Sequence, residues 1–353
     1  MTRPPRPRPR RPTMTDIAKL AGVSQSTVSL VINHMSGAKV SKTTRDTVMR
    51  IARELGYPVE RHARDAATRA RGGTAARNLI VYLTDELTTS PHAMQTIDGA
   101  KEAAWEHDCL VAVFATRGDP DVEAAVFARM LGHPALLGVI YSTIFTRAVT
   151  VPAALDGVPT VLLNCHTRDR SRASVVPGEL LGGYAATLHL IEAGHRRIGF
   201  INGESWIEAA AERFKGYQRA LAGADIPFDP ALVRSGDWQV AAGYEHALAL
   251  LDLPLRPTAL FCANDLMAMG ALDAARERKL AVPRDLSVMG YDDQDIARYT
   301  HPPLSTVLLP NHEMGRWAAD TLVAQVRGNS LSKAAVKMDC PLVARDSVAP
   351  PRA

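Results

Sequence analysis

At 353 residues, 46% of them apolar, the chain has the length for two or three domains and enough apolar mass to bury a sizeable core. Its net charge of +4 conceals a split: residues 1–75 carry 15 Lys+Arg against 5 Asp+Glu, and the other 278 carry 26 against 32. Four scattered cysteines, Cys109, Cys165, Cys262 and Cys340, form no Cys-x-x-Cys pair or Cys/His cluster, which argues against a disulfide framework and a zinc site. The lack of an 18-residue apolar run argues against a membrane-spanning helix.

A basic small end on an acidic large body is the footprint of a nucleic-acid-binding head, although a basic tail that only solubilises would give the same sum. Residues 1–12 (MTRPPRPRPRRP) alternate Arg and Pro, which can neither continue a helix nor bury an apolar face, so a disordered basic tail is expected there. They also lack the apolar core of a secretory signal, so the expected location is the reducing cytoplasm.

Residues 13–33 (TMTDIAKLAGVSQSTVSLVIN) divide into two short helices. Thr13 and Asp16 form a Thr-x-x-Asp start signal, Ile17, Ala18 and Leu20 supply an apolar face, and Gly22 suits the turn. Ser24 can cap the second helix, where Val28, Val31 and Ile32 fall on one side and Ser26, Ser29, Leu30 and Asn33 on another. Short polar side chains let a helix backbone approach base edges, and Gln25 and Ser26 occupy the first turn, where a recognition helix makes base contacts. A third helix is expected from Ser41, with Val48, Ile51, Ala52 and Leu55 buried and Arg45, Arg50 and Arg53 outside. On periodicity alone this is equally a three-helix bundle with no DNA role.

From Asn78 onward, short apolar runs such as NLIVYL, LVAVFA, GVIYS and PTVLLN alternate with helical patterns such as TIDGAKEAAWEHD and DVEAAVFARML. The alternation resumes after residue 178 with RIGFING, ALVRSG, PTALFCAND and LSVMGYDD as strands. Such alternation predicts an α/β fold of parallel sheets with right-handed crossovers, and two such lobes in tandem would hold a ligand in the cleft at their strand ends.

The strings LAGVSQSTVSLVIN, VSKTTRDTV and ELGYP, followed by GHRRIGFING, ERFKGY, GDW, ANDLMAMGAL, VPRDLSVMGYDD and PPLSTV, resemble the lactose-repressor (LacI/GalR) family of bacterial regulators over roughly residues 13–345. The resemblance implies a helix-turn-helix headpiece at 13–59, a hinge at 60–76 and a two-lobed sensor of periplasmic-binding-protein type at 77–345, with a tail at 346–353. In it, the first lobe is about 77–176 plus 304–337, and the second about 177–303 plus 338–345. Carried over position by position, Thr13, Ser24, Thr27, Ser29 and Asn33 would contact or position phosphates, and Gln25, Ser26 and position 30 would read bases. Leu30 stands where Arg is frequent, and a thymine methyl is its natural partner. In the hinge, Arg61 and Arg64 would contact the minor-groove backbone. Ala66, flanked by Asp65, falls where a Leu wedge is usual, and Glu60 where Asn is usual. A short wedge predicts a weaker operator kink, unless a neighbouring side chain inserts or the linker stays disordered.

For the cleft, the resemblance singles out Arg213, Asn264 and Asp292 as effector hydrogen-bonding groups and Trp238 as a ring that stacks on sugars, with Ser142 and Asn164 at first-lobe strand ends. Sugar hydroxyls suit such planar donors and acceptors beside an aromatic face. Singly, each has a plainer reading: a helix cap or turn for the Asn and Asp residues, a surface ion pair for Arg213, core packing for Trp238. His92 and Ala93 stand where an aromatic pair is frequent; His92 is either a ligand donor or an exposed loop histidine. The chain lacks a Gly-rich phosphate loop, a Gly-x-Ser-x-Gly elbow and a His-Glu-x-x-His pair, so no catalytic residue, cofactor or metal is expected. The function expected is a repressor that binds a palindromic operator as a dimer or tetramer under control of a small effector, a sugar. The alternatives are a purine or nucleoside effector, or a sugar-binding protein with no DNA function.

Overall fold

The computed structural model describes residues 12–32, 40–57, 77–88, 91–328 and 335–352, leaving out the side chains of Ser26 and Leu30. The chain divides into two compact units, 1–76 and 77–353.

In the first unit, α1 (Met14–Ala21), α2 (Gln25–Ile32) and α3 (Lys42–Glu54) follow the expected boundaries. Thr13 and Asp16 close a reciprocal capping box, and Gly22 ends α1 in the left-handed conformation at φ 65°. Met14, Ile17, Ala18, Val28, Val31, Ile32, Val48, Ile51, Ala52 and Tyr57 form one buried cluster. Leu20 departs from expectation: it is 63% exposed. At 100° per residue it lies roughly 110° from the centre of the stripe made by residues 14, 17, 18 and 21, too far round to reach the core.

The second unit is built on two parallel sheets. The first contains β1 (Leu79–Thr84), β2 (Leu110–Ala115), β3 (Leu136–Ala148), β4 (Thr160–His166), β5 (Ser174–Pro177) and β11 (Ala335–Met338), in the order β11-β5-β4-β3-β1-β2. The second contains β6 (Ile198–Asn202), β7 (Val233–Ser235), β8 (Ala259–Cys262) and β9 (Ser287–Met289), in the order β7-β6-β8-β9. Every pairing in both sheets is parallel. A short antiparallel pair, β10 (Thr306–Val307) and β12 (Leu342–Val343), lies apart.

Helices supply the crossovers: α4 (His92–Glu106) and α5 (Pro120–Met130) in the first lobe, and α6 (Glu179–Glu192), α7 (Glu208–Gly223), α8 (Val240–Leu251) and α9 (Asp265–Glu277) in the second. α10 (Asn311–Val326) returns to pack on α4. Because parallel strands are covered on both faces, they read as continuous apolar runs. Accordingly Val81, Leu83 and Val139 pack with Phe127 on one side of the first sheet, and Ile80, Tyr82 and Ile140 with Ala100 and Met314 on the other.

Two lobe boundaries differ from those expected. Residues 304–309 stay with the second sheet, since Met289 bridges Ser305 and Asp292 bridges Leu308, so the return to the first lobe falls at Pro310. Residues 346–352 are a packed segment rather than a tail. β9 is an edge strand with unpaired backbone groups, and the C-terminal segment satisfies them: Val288 N donates to Ser347 O (2.9 Å), and Ser347 Oγ donates to Val288 O (2.6 Å).

His195 fastens the same segment. It is buried, with Nε2 2.9 Å from Ser287 Oγ and 3.0 Å from Ala349 O, and Nδ1 2.9 Å from Thr258 Oγ1. Burial holds its pKa below the ordinary 6.5, so the folded state carries it neutral while the unfolded chain takes up a proton. This contribution is full above pH 6.5 and is lost as pH falls towards the depressed folded value. Unfolding midpoints measured from pH 7.5 to 5 should therefore drop with falling pH, and His195→Gln should flatten that slope at a cost of about 1–3 kcal/mol. His312 has the opposite sign: burial lowers its pKa, but hydrogen bonding and charge from Glu102 raise it further, so its contribution fades as pH rises. Equal slopes in wild type and His195→Gln would refute the role of His195.

Candidate functional site

In the headpiece, the structure gives three of the expected phosphate-contacting residues local duties. Thr13 donates through both its N–H and its hydroxyl to Asp16 Oδ2 at 2.8 Å, and Ser24 Oγ accepts from Thr27 N at 3.1 Å and lies 2.9 Å from Thr27 Oγ1. These contacts fix the starts of α1 and α2 and hence the angle at which the second helix is presented. Gln25, Thr27 and Ser29 are half-buried on α2, and Thr15 Oγ1 donates to Gln25 Oε1 at 3.5 Å. Lys19, Lys42, Arg50 and Arg53 are exposed on α1 and α3. Ser26 and Leu30 lie on the same helix, while Asn33, Arg61, Arg64 and the hinge positions Glu60, Asp65 and Ala66 fall outside the described residues.

In the body, four of the six expected effector residues converge at the carboxyl ends of the second sheet. Arg213, on α7, is 3% exposed. Its Nε and Nη2 donate to the two oxygens of Glu179 at 2.7 and 3.0 Å, and its Nη1 donates to the carbonyl of Ala263 and, at 3.4 Å, to Asp292 Oδ1. The guanidinium lies 3.7 Å from the ring centroid of Tyr291 and 5.6 Å from that of Trp238. Burial alone would lower its pKa, but Glu179 and Asp292 more than offset this and hold it charged. Asn264 caps α9, accepting from Met267 N at 2.9 Å, and its amide donates to Trp238 O at 2.9 Å. It is thus both the cap of the plainer reading and a tether of the Trp238 main chain.

Trp238 and Asp292 hold positive φ, 69° and 108°, as does Asn164 at 56°. Such conformations cost about 1–3 kcal/mol each for residues other than glycine and collect where a fold must aim a side chain. Trp238 lies flat over Gly203, where a Cβ would come within 1.9 Å of the ring. Its Nε1 is buried with no protein partner, as are Asn202 Oδ1 at the end of β6 and Glu204 Oε2 just beyond it. Beneath Asp292, buried Asp265 accepts from Thr306 Oγ1 at 2.6 Å and from Gln294 N at 2.8 Å; burial and the charge of Asp292 raise its pKa.

The first lobe reaches this cluster through His92, whose Nε2 lies 3.3 Å from Asp292 Oδ2, and through buried Asn311, whose Nδ2 lies 3.0 Å from His92 Nδ1 and donates to Gln95 Oε1 at 3.1 Å. His92 is therefore not a loop histidine: it begins α4 and faces the other lobe. Other side chains meet across the cleft: Phe145 packs edge-on to Trp206 at 6.0 Å, and His166 Nε2 lies 3.0 Å from Glu208 Oε2.

Asn164 and Ser142 are placed differently. Asn164 gives both amide protons to Thr143 O and Ile144 O at 2.9 Å and accepts from Thr146 Oγ1 at 2.6 Å, pinning the stretch where β3 slips register against β4. Ser142 is buried, accepts from Tyr82 OH at 3.2 Å, and lines a cavity of about 190 Å³ with Asp85, Thr116, Glu123, Tyr141 and Arg147. Glu179, Tyr291 and Asn311 were not anticipated. Glu179 reads as an ordinary acidic first-turn residue, and its partner lies 34 positions away.

Among the described residues, no group of His, Cys, Asp or Glu side chains is arranged to hold a metal, and no helix is long and apolar enough to cross a membrane. Residues 13–58 match the bacterial regulatory proteins of the lacI family, and residues 187–348 match the periplasmic binding protein-like domain. The ribose operon repressor of Haemophilus influenzae is 33% identical over 337 residues, covering 95% of this chain and 98% of its own. Among solved structures, a complex of the transcriptional regulator CelR with cellobiose is 31% identical with a TM-score of 0.66, covering 96% of this chain and all of its own. The lac repressor dimer bound to operator and the anti-inducer ONPF is 27% identical with a TM-score of 0.67 over the same shares. The three-helix headpiece, the paired parallel sheets and these likenesses along nearly the whole chain have one reading: the chain belongs to the LacI family of bacterial regulatory proteins.

Proposed function

We propose that this chain is a sequence-specific repressor that binds a near-palindromic operator as a dimer and lets go of it, or takes hold of it, when a sugar closes the cleft between its lobes. The observation that carries the sugar is the cluster of Arg213, Asp292 and Trp238, in which a planar donor, a carboxylate acceptor and an aromatic face meet at one strand-end site. The contacts of Asp292 with Arg213, His92 and Gln294 are all long, at 3.2–3.4 Å, so its oxygens can accept shorter bonds from hydroxyls. Among relatives, one is named for the ribose operon and another was solved with cellobiose.

The operator is read by α2. Gln25, Ser26 and Leu30 read the bases, Thr13, Ser24, Thr27, Ser29 and Asn33 hold phosphates or set the helix in place, and Arg61 and Arg64 follow the minor groove. Two headpieces enter successive major grooves, as the lac repressor dimer on operator suggests by likeness. A protein with this task works beside the chromosome in the cytoplasm. A ligand gripped by both lobes favours one lobe angle, and by linkage the state that grips DNA must hold the ligand with correspondingly altered affinity.

Retardation of a palindromic duplex in a gel, altered by one member of a panel of sugars and nucleosides without turnover of that member, tests the whole reading. A nucleoside as the active member would replace the sugar, and no retarded duplex from a randomised half-site library would remove the DNA function. Gln25→Ala should change the preferred half-site, whereas Lys42→Ala should weaken all sequences alike and reduce the salt slope by about 1. Gly203→Ala, which drives a methyl into the Trp238 ring, should cost about 1–3 kcal/mol in stability and cut effector affinity by tenfold or more while operator retardation persists. Normal effector affinity in Gly203→Ala would remove Trp238 from the site.

A further inference from the structure

In the cleft the one buried cation, Arg213, meets two buried carboxylates, Glu179 and Asp292, with a third, Asp265, behind Asp292, and that imbalance bears on which effectors can enter. Glu179 starts α6, Arg213 belongs to α7, and the two helices touch backbone to backbone. A Cβ on Gly183 would come within 2.5 Å of Arg213 O, and one on Gly216 within 2.4 Å of Leu180 O. Only this close approach lets a first-turn carboxylate reach the guanidinium with both oxygens, at 2.7 and 3.0 Å, where each side chain is 5% exposed or less.

Arg213 has five N–H donors in a planar fork. Two are given to Glu179, and Nη1 serves the carbonyl of Ala263 and Asp292 Oδ1, which leaves a single N–H for a ligand. Phosphate and carboxylate groups are gripped by two parallel N–H donors of one guanidinium. To offer such a fork, Arg213 would have to leave Glu179, stranding a buried carboxylate without its cation, while Asp292 beside it would repel the incoming anion.

Resting on the reading of this cleft as the effector site, we infer that Glu179 is a specificity-determining residue: by occupying the fork of Arg213 it makes the site reject phosphorylated and carboxylated ligands and accept neutral polyhydroxy ones. Glu179 acts through Arg213 and is a positioning residue. Hydroxyls need no charge balance, and the single free N–H together with the Asp292 oxygens suits them. Specificity here comes from a group placed against the wrong ligand as much as from contacts to the right one.

Calorimetry on the full chain with ribose and ribose 5-phosphate, glucose and glucose 6-phosphate, and inorganic phosphate tests this. In the wild type, each phosphorylated sugar should bind at least tenfold more weakly than a neutral parent that binds. Glu179→Gln should shift that ratio by tenfold or more towards the phosphates, with the gained affinity falling as salt rises, whereas Glu179→Asp, which keeps the charge, should still discriminate. A wild type that binds any phosphorylated sugar as tightly as its parent overturns the inference, and so does a folded Glu179→Gln with an unchanged ratio and no gain for inorganic phosphate. Should Glu179→Gln not fold, the wild-type ratios and those of Glu179→Asp decide. If no neutral sugar binds but Glu179→Gln gains inorganic phosphate, the sugar reading falls while the charge argument stands.

Discussion

A guanidinium in the interior of the second lobe is the constraint around which the site is organised. Arg213 is almost wholly out of water, and an isolated ion there would cost far more than a small domain's whole stability. The surroundings therefore supply everything water would: two oxygens from Glu179, a carbonyl at Ala263, an oxygen of Asp292 and the π-face of Tyr291. These come from three separate elements, Tyr291 and Asp292 sharing one loop, so satisfying one side chain fixes the relative positions of α6, α7, the end of β8 and the loop after β9. Replacing the ion pair by apolar groups could leave the lobe as stable. Its value lies in the geometry it imposes on the residues that face the cleft.

The connections between the lobes run directly beside this cluster. The chain passes from the first sheet into α6 just after Pro177, from the second sheet into α10 at Pro310, and from β11 into β12 after Met338. Glu179 stands one step beyond the first crossing and Asn311 one step beyond the second, and Cys340, in the third, packs into the second-lobe core that contains Tyr291. The floor of the cleft is therefore built where the chain crosses between the lobes. On the proposed reading, a ligand touching His92 and Asn311 on one side and Asp292 on the other would act on the connecting segments themselves, with no long relay needed.

The fold was legible where periodicity and turn chemistry act locally. Alternating apolar runs gave the parallel strands, the Thr13/Asp16 box and Gly22 gave the boundaries of α1, and the charge split marked the headpiece. What sequence could not show depends on partners far apart in the chain. Leu20 looked apolar and therefore buried, but its angle on a helix of eight residues placed it outside. Residues 346–352 looked like a tail because Pro and small residues carry no period, yet they are ordered by hydrogen bonds to β9. In the site, residue types were recognisable from short motifs, but their duties were not: Asn264 tethers the main chain of Trp238, Asn164 pins the register slip of β3, and Glu179, unremarkable in its own helix, pairs with the buried Arg213.

The segment around Ser347 carries a further consequence. Strand β9 forms one border of the second sheet, and an uncovered border is a template on which another molecule's strand can add. By lying along it, residues 346–352 cap that border as an intramolecular guard against edge-to-edge polymerisation. A chain cut at residue 345 would retain every group of the cleft and keep the cover that residues 305–308 give the far end of that border, but it would bare the main chain of Val288, so its failure would begin as a loosened sheet edge rather than as a missing response.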